Sequence, residues 1–287
     1  MDDNYRWHLL RLKRHEIMLR RAFGRFRECG FEPILIKGWA IAKLYPWGVP
    51  RFFGDIDLAV TSSDFENAFR FCQHDDIRIL DIDLHNEFRH LDTQPWDELF
   101  GRSQLIDLEG TDIRVLCPED HLRVLCVHWL TDGGAYKEKL WDIYYAVENR
   151  GPDFNWDLCL ITASEVRRRW IIYTIGLAHE YLGLEIGDLP FADEAKNTPK
   201  WLRRAVEKEW KSPGPPLPIH TCLGDRKLFL EQIRKRFPPN PIQSTVDMEG
   251  SFDADTTTYY QIGSFFKRLS PSVKRVLTTI RTGAKRT

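Results

Sequence analysis

The sequence predicts an α+β protein on three observations. Short β-branched runs alternate with helical segments as far as residue 116. Glycines and aspartates interrupt stretches that are otherwise apolar enough to be core, as in LIKGWAIAKLYPWGVPRFFGDIDLAV from Leu35 to Val60. From Pro118 the patterning turns helical, and after Gly187 proline breaks it repeatedly. The chain has 287 residues, enough for one large or two modest domains, and 43% apolar with 13% aromatic residues supports a packed core rather than disorder.

The elements follow in order. Arg6 to Cys29 places Leu9, Leu10, Ile17, Met18, Leu19, Phe23 and Phe26 among basic residues, an amphipathic helix that Gly30 should stop. Glu32 to Ile36 reads as a strand ending at Lys37-Gly38, and WAIAKLY as a helix stopped by Pro46. DIDLAV is a strand entering a core; Ser63 and Glu66 form a capping-box pattern for a helix to Cys72. IRILDIDLHNEF reads as a second strand of that kind, with Asp81, Asp83 and His85 on one face and Ile82 and Leu84 on the other. QLIDLEGTDIRVL is a hairpin around Glu109-Gly110-Thr111.

Pro118-Glu119-Asp120 makes a good first helical turn, proline at N1 and acids near the positive end of the dipole, and HLRVLCVHWL continues it. Helices are also expected over Lys139 to Asn149, Asp157 to Leu182, Trp201 to Lys211 and Leu228 to Phe237. The expected organisation is a core over 1–116 with its N-terminal helix, a helical domain over 117–190, and a Pro-rich peripheral segment over 191–287 ending in a basic tail.

The net charge of -1 supplies no drive for sequence-independent nucleic-acid binding. It hides a polarity: between Phe53 and Asp120 there are 17 acidic residues against 5 basic ones, which must be solvated or neutralised by bound cations. The six cysteines form no CxxC pair, the N-terminus lacks the apolar core of a signal peptide, and no apolar run approaches the ~18 residues of a membrane span. A reduced, cytoplasmic protein without a membrane anchor is expected.

Asp55 and Asp57 lie two apart on an expected strand, so their carboxylates share a face and repel each other. A divalent cation relieves that repulsion, and magnesium suits it because it takes hard oxygen ligands and is completed by substrate phosphates; manganese is a substitute. A third carboxylate, Asp81 or Asp83, would complete a two-metal site. Gly38, where a strand turns into a helix, lets backbone N–H groups approach a phosphate, although it also serves a simple turn. Lys37 and Arg51 flank this pocket and could neutralise a triphosphate or pair with the surplus acids. Lys137 and Lys139 open a helix and are phosphate contacts or solvated charges. His85 is read as orienting a neighbouring carboxylate or pairing with backbone rather than binding metal or phosphate, and His128 as a satisfied core histidine. Trp39 and Trp47 border the pocket and could stack on a base; the other tryptophans read as core.

These stretches, with DIDLH from Asp81 and the later VLCPEDHLRVLCVHWLTDGG and KLWDIYYAV, resemble the poorly characterised nucleotidyltransferase family of the DNA polymerase β-like superfamily. The resemblance runs from about Ile34 to about Leu182, with a fainter echo in FPPNPI and TYYQIGSFFKRL. It implies a small mixed sheet flanked by helices, then a helical domain, and Mg-dependent transfer of a nucleoside monophosphate from an NTP such as ATP to a hydroxyl, releasing pyrophosphate. Carried over, Asp55 and Asp57 are the metal-binding pair, Asp83 the third carboxylate and Gly38 the phosphate-side glycine; beside the resemblance, position alone offers Lys37, Arg51 and Lys139 as nucleotide contacts. The partners are an NTP and an unidentified hydroxyl acceptor, a small molecule or peptide favoured over RNA. Two other readings compete: a catalytically inactive nucleotide-binding accessory protein, and a metal-dependent phosphohydrolase built on Asp81, Asp83 and His85.

Overall fold

The computed structural model describes residues 3–49, 51, 54–160, 163–212, 217, 219–222 and 224–268. The basic tail past residue 268 and most of the SPGPPLP stretch lie outside the described residues. The protein is helix-rich with one five-stranded mixed sheet in its N-terminal half, an α+β fold. Its elements are α1 (Asp3–Glu28), β1 (Ile34–Leu35), α2 (Trp39–Ala42), β2 (Ile56–Val60), α3 (Ser62–Phe71), α4 (Asp75–Arg78), β3 (Ile82–Asn86), α5 (Trp96–Arg102), β4 (Gln104–Leu108), β5 (Thr111–Val115) and α6 (Pro118–Thr131). There follow α7 (Leu140–Glu148), α8 (Trp156–Leu160), α9 (Glu165–Leu182), α10 (Ala192–Lys196), α11 (Lys200–Lys211), α12 (Arg226–Lys235) and α13 (Pro241–Asp247). The chain divides into two compact units, Met1–Cys126 with Trp141–Ser164, and Val127–Leu140 with Glu165–Thr287.

In the first unit the sheet order is β3-β2-β1-β5-β4. β2 runs parallel to β3 and antiparallel to β1; β1 is parallel to β5, and β5 forms the expected hairpin with β4. One face is covered by α1, whose Leu19, Ala22, Phe23 and Phe26 pack with Leu35, Ile56, Leu58, Val60, Leu84, Ile113 and Val115 in one cluster. Because side chains alternate along a strand, Asp57 and Ala59 of β2 and Asp83 and His85 of β3 must point to the opposite face.

Several expectations needed correction. The IRILDIDLHNEF run is not one strand: a helical turn, α4, occupies its beginning, and Asp81 adopts φ 54 before β3 starts at Ile82. Aspartate tolerates this left-handed conformation better than most residues, and the break removes Asp81 from the alternation that Asp83 and His85 obey. The Ser63–Glu66 capping box does not form; Thr61 is the N-cap without a side-chain cap, and Ser62 Oγ bonds Asn86 and Glu87 instead. The long helix expected over Asp157 to Leu182 is two helices, α8 and α9.

In the second unit α9 is buried continuously from Trp170 to Ala178. Gly176 lets it approach α10: a Cβ there would stand 2.2 Å from the carbonyl oxygen of Ala195. Indole donors secure the surrounding loops, Trp170 to the Gly250 carbonyl, Trp210 to that of Gly134 and Trp201 to that of Phe252, each at 2.9 Å. No helix among the described residues is long and apolar enough to cross a membrane.

Candidate active site

The site is a consequence of register. In the parallel pair β2–β3, Asp57 stands beside Asp83 and Ala59 beside His85, so two carboxylates and an imidazole emerge from adjacent strands on the face away from α1. Ala59 carries only a methyl, which leaves His85 room to lean back along the sheet. Its Nε2 lies 3.2 Å from Oδ2 of Asp83 and 3.5 Å from Oδ1 of Asp57. Ligand atoms of Asp57, Asp83 and His85 all lie within 4.8 Å of one another. Asp57 is 2% exposed, His85 12% and Asp83 54%, so the cluster opens to solvent at Asp83.

The third element is the end of β1. The backbone N–H of Ile36 donates to the carbonyl of Asp57 at 3.0 Å, holding the strand exit against β2. One residue on, the Lys37 ammonium lies 3.0 Å from Oδ1 of Asp57. Gly38 then turns the chain with φ 75 and ψ -114, a conformation that side chains rarely adopt, and a Cβ there would meet nothing within 4 Å. The glycine is required by the turn, and the space beside it is open.

The other residues singled out from the sequence are placed as follows. Asp55 is exposed immediately ahead of β2 and stands outside the three-residue cluster. Asp81 is exposed and also outside it, so the phosphohydrolase reading loses one of its three groups. Arg51 is 11% exposed and grips Asp142 of α7, Nε to Oδ1 and Nη2 to Oδ2 at 2.7 Å each, while the Tyr45 hydroxyl donates to the same carboxylate at 2.6 Å. Lys139 belongs to the second unit and bonds Asp132 at 2.8 Å; His128 Nδ1 lies 3.7 Å from the same carboxylate, on a half-buried ring rather than in the core. Trp39 is buried, its indole donating to Glu16 at 3.1 Å, whereas Trp47 is 92% exposed. Trp39 is therefore core and offers no stacking face.

Sequence reasoning passed over His15, His121 and Asp142, which the fold buries in the first unit. The one available signal was a polar residue interrupting an apolar helix face. Burial pushes His15 and His121 down to about 4, so both are neutral at ordinary pH. The charges of Glu16, Arg51 and Asp57 all reach His15.

Electrostatics single out the cluster. Desolvation lifts the Asp55 carboxyl above its usual range, and the neighbouring Asp57 charge adds to it. The contact with His85 holds Asp83 below that range. Burial alone would lower His85, but Asp57 and Asp83 outweigh it and raise the imidazole. Asp57 Oδ1 and His85 Nε2 are buried without a hydrogen bond of regular geometry; their partners are ion-pair contacts. Convergent carboxylate and imidazole atoms left this way fit a divalent cation, because coordination would satisfy atoms that hydrogen bonding leaves short.

A mixed sheet presenting paired carboxylates from adjacent strands, with a glycine turn next to them, is the arrangement expected of the family that the sequence resembles. The family model for an uncharacterised nucleotidyltransferase matches residues 1–183, more than half the chain and all of the sheet. The protein belongs to that family. No curated protein and no solved structure matches it.

Proposed function

We propose that the protein transfers a nucleoside monophosphate from an NTP to a hydroxyl of an acceptor. The observation that carries this reading is the side-by-side placement of Asp57 and Asp83 with the Lys37-Gly38 turn against them. Asp57, Asp83 and His85 would hold a divalent cation, Mg2+ or Mn2+, with Asp55 flanking them and available to a second ion. When bound, such ions neutralise the charge that builds on the attacking and leaving oxygens of an in-line displacement.

The chain's own residues do the rest. Gly38 leaves space for phosphate oxygens to approach the backbone, and Lys37 supplies a positive charge beside them. Arg51, clamped by Asp142, contributes field rather than a direct contact. Asp83 is the most open carboxylate of the cluster and receives the proton of the acceptor hydroxyl. The acceptor oxygen bonds to the α-phosphorus as the bond to the β-phosphate oxygen breaks, and pyrophosphate leaves. The excess of acids around the site disfavours a polyanionic acceptor, so a small hydroxylated molecule or a peptide side chain is preferred over RNA.

The test is retention of label from each α-labelled NTP, with Mg2+ or Mn2+, against lysate fractionated into small molecules, protein and RNA. The expected result is label in one fraction, lost with Asp57→Asn. An Asp57→Asn variant that transfers label at the wild-type rate would refute the assignment.

A further inference from the structure

Asp57 is the most buried charge of the site, and removing the cation from a buried ion pair without replacing it is costly. Two candidates compete for the same oxygen. The Lys37 ammonium lies 3.0 Å from Oδ1 of Asp57, and Oδ1 is also the atom 3.5 Å from His85 Nε2, in the Asp57, Asp83 and His85 cluster suited to a divalent ion. An ammonium and a divalent cation sharing one carboxylate oxygen repel each other strongly in a protein environment. One of them has to withdraw.

Lys37 is built to be the one that moves. Its ammonium is a point charge on a flexible stem, its side chain is 20% exposed, and it follows a two-residue strand. The next residue is Gly38, whose open side is the proposed berth of the triphosphate. Arg51 shows the contrast: both prongs of its fork are occupied by Asp142, so it cannot exchange partners without unmaking a buried pair.

We infer that Lys37 is an exchangeable counter-cation: it neutralises Asp57 until a divalent ion enters, then passes to the triphosphate beside Gly38, so that metal and nucleotide bind cooperatively. This rests on the proposed function. Entry of the ion alone pushes the ammonium off Asp57; entry of the phosphates alone draws it away from Asp57. Entry of both leaves the divalent ion on Asp57 and the ammonium on the phosphates. By linkage, each ligand then tightens the other by the same factor.

The experiment is Mn2+ binding followed by the paramagnetic resonance of free Mn2+, with and without inorganic tripolyphosphate, a probe independent of base preference. Wild-type protein is expected to bind Mn2+ weakly alone and on the order of tenfold more tightly with tripolyphosphate. Lys37→Met should bind Mn2+ alone about tenfold more tightly than wild type and lose most of the coupling. Asp57→Asn identifies the site by losing the bound ion. If Asp57→Asn loses it but Lys37→Met matches wild type with and without tripolyphosphate, the exchange is overturned while the metal site stands. If Mn2+ binds no variant, or binds Asp57→Asn as well as wild type, the site reading falls and the exchange with it. Should Lys37→Met fail to fold, pulsed acetylation of the wild-type protein reads the same event: Lys37 labelling should rise with Mn2+ alone and fall again with tripolyphosphate. Labelling indifferent to Mn2+ overturns the inference.

Discussion

Replacing Arg51 with methionine separates two roles that the sequence leaves entangled. The guanidinium is buried and bidentate to Asp142, and the Tyr45 hydroxyl shares that carboxylate. Arg51→Met removes the cation and leaves a buried carboxylate with one neutral donor. Breaking one side of such a pair costs about 3 kcal/mol at the lower end of the known range. At about 2–4 °C per kcal/mol for a protein of this size, the midpoint of thermal unfolding should fall by about 6–12 °C. Asp142→Leu alone should cost a similar amount, since it strands the guanidinium. The double variant Arg51→Met/Asp142→Leu should lose less than either, with a coupling energy of about 2 kcal/mol or more, because removing both charges leaves nothing uncompensated. Calorimetric unfolding of the four proteins, with tripolyphosphate binding measured beside it, decides the matter. An Arg51→Met protein of unchanged midpoint whose tripolyphosphate affinity drops tenfold would refute the clamp and make Arg51 a phosphate ligand.

Three further outcomes follow from single features. Gly38→Ala meets no steric obstacle, so its cost is the strain of φ 75 alone, about 1–3 kcal/mol, read as a lower unfolding midpoint with weaker tripolyphosphate binding. Gly176→Ala places a methyl 2.2 Å from the Ala195 carbonyl and should cost at least about 1–3 kcal/mol in chemical denaturation, with no direct effect on the cation site. His85 has a folded pKa raised above 6.5, so in cation-free protein its contribution to stability is complete below that value and is lost as pH rises through the raised one. Metal coordination needs the neutral imidazole, so Mn2+ affinity should climb over the same window, and His85→Gln should flatten both profiles.

The convergence of Asp57 and Asp83 was legible because it rests on alternation, although Asp55 was expected in the group and stands outside it, and His85, read as an orienting residue, stands inside. Asp57, Asp83 and His85 sit at positions whose apolar neighbours, Ile56, Leu58, Ile82 and Leu84, belong to the α1-facing core, and period two then sends the polar set to the other face. Asp81 was not separable from Asp83 in this way, because a left-handed residue at φ 54 leaves no periodic trace. The partner of Arg51 was equally hidden: Asp142 lies ninety-one positions away, and only tertiary packing brings it there. Short α5, α10 and α13 were missed because elements of five to seven residues show less than two turns of periodicity.

The acid surplus between Phe53 and Asp120 was expected to need solvent or cations, and the fold disposes of much of it internally. Lys13 and Arg20 of α1 take Glu109, and Arg25 takes Asp76. Arg102 and Arg123 share Asp120, which is fully buried, and Arg123 also bonds Asp92. Each of those carboxylates meets a guanidinium or an ammonium, and Glu109 and Asp120 meet two. The site is provided for differently: Asp57 and Asp83 share His85, Lys37 reaches Asp57, and Asp55 carries a pKa raised by desolvation and then by the Asp57 charge. Three carboxylates against one ammonium and one titratable imidazole leave a local negative excess. A fold that supplies arginine to so many other acids, yet gathers three here around a lysine on a mobile stem, keeps its unspent negative charge where a divalent ion would be held.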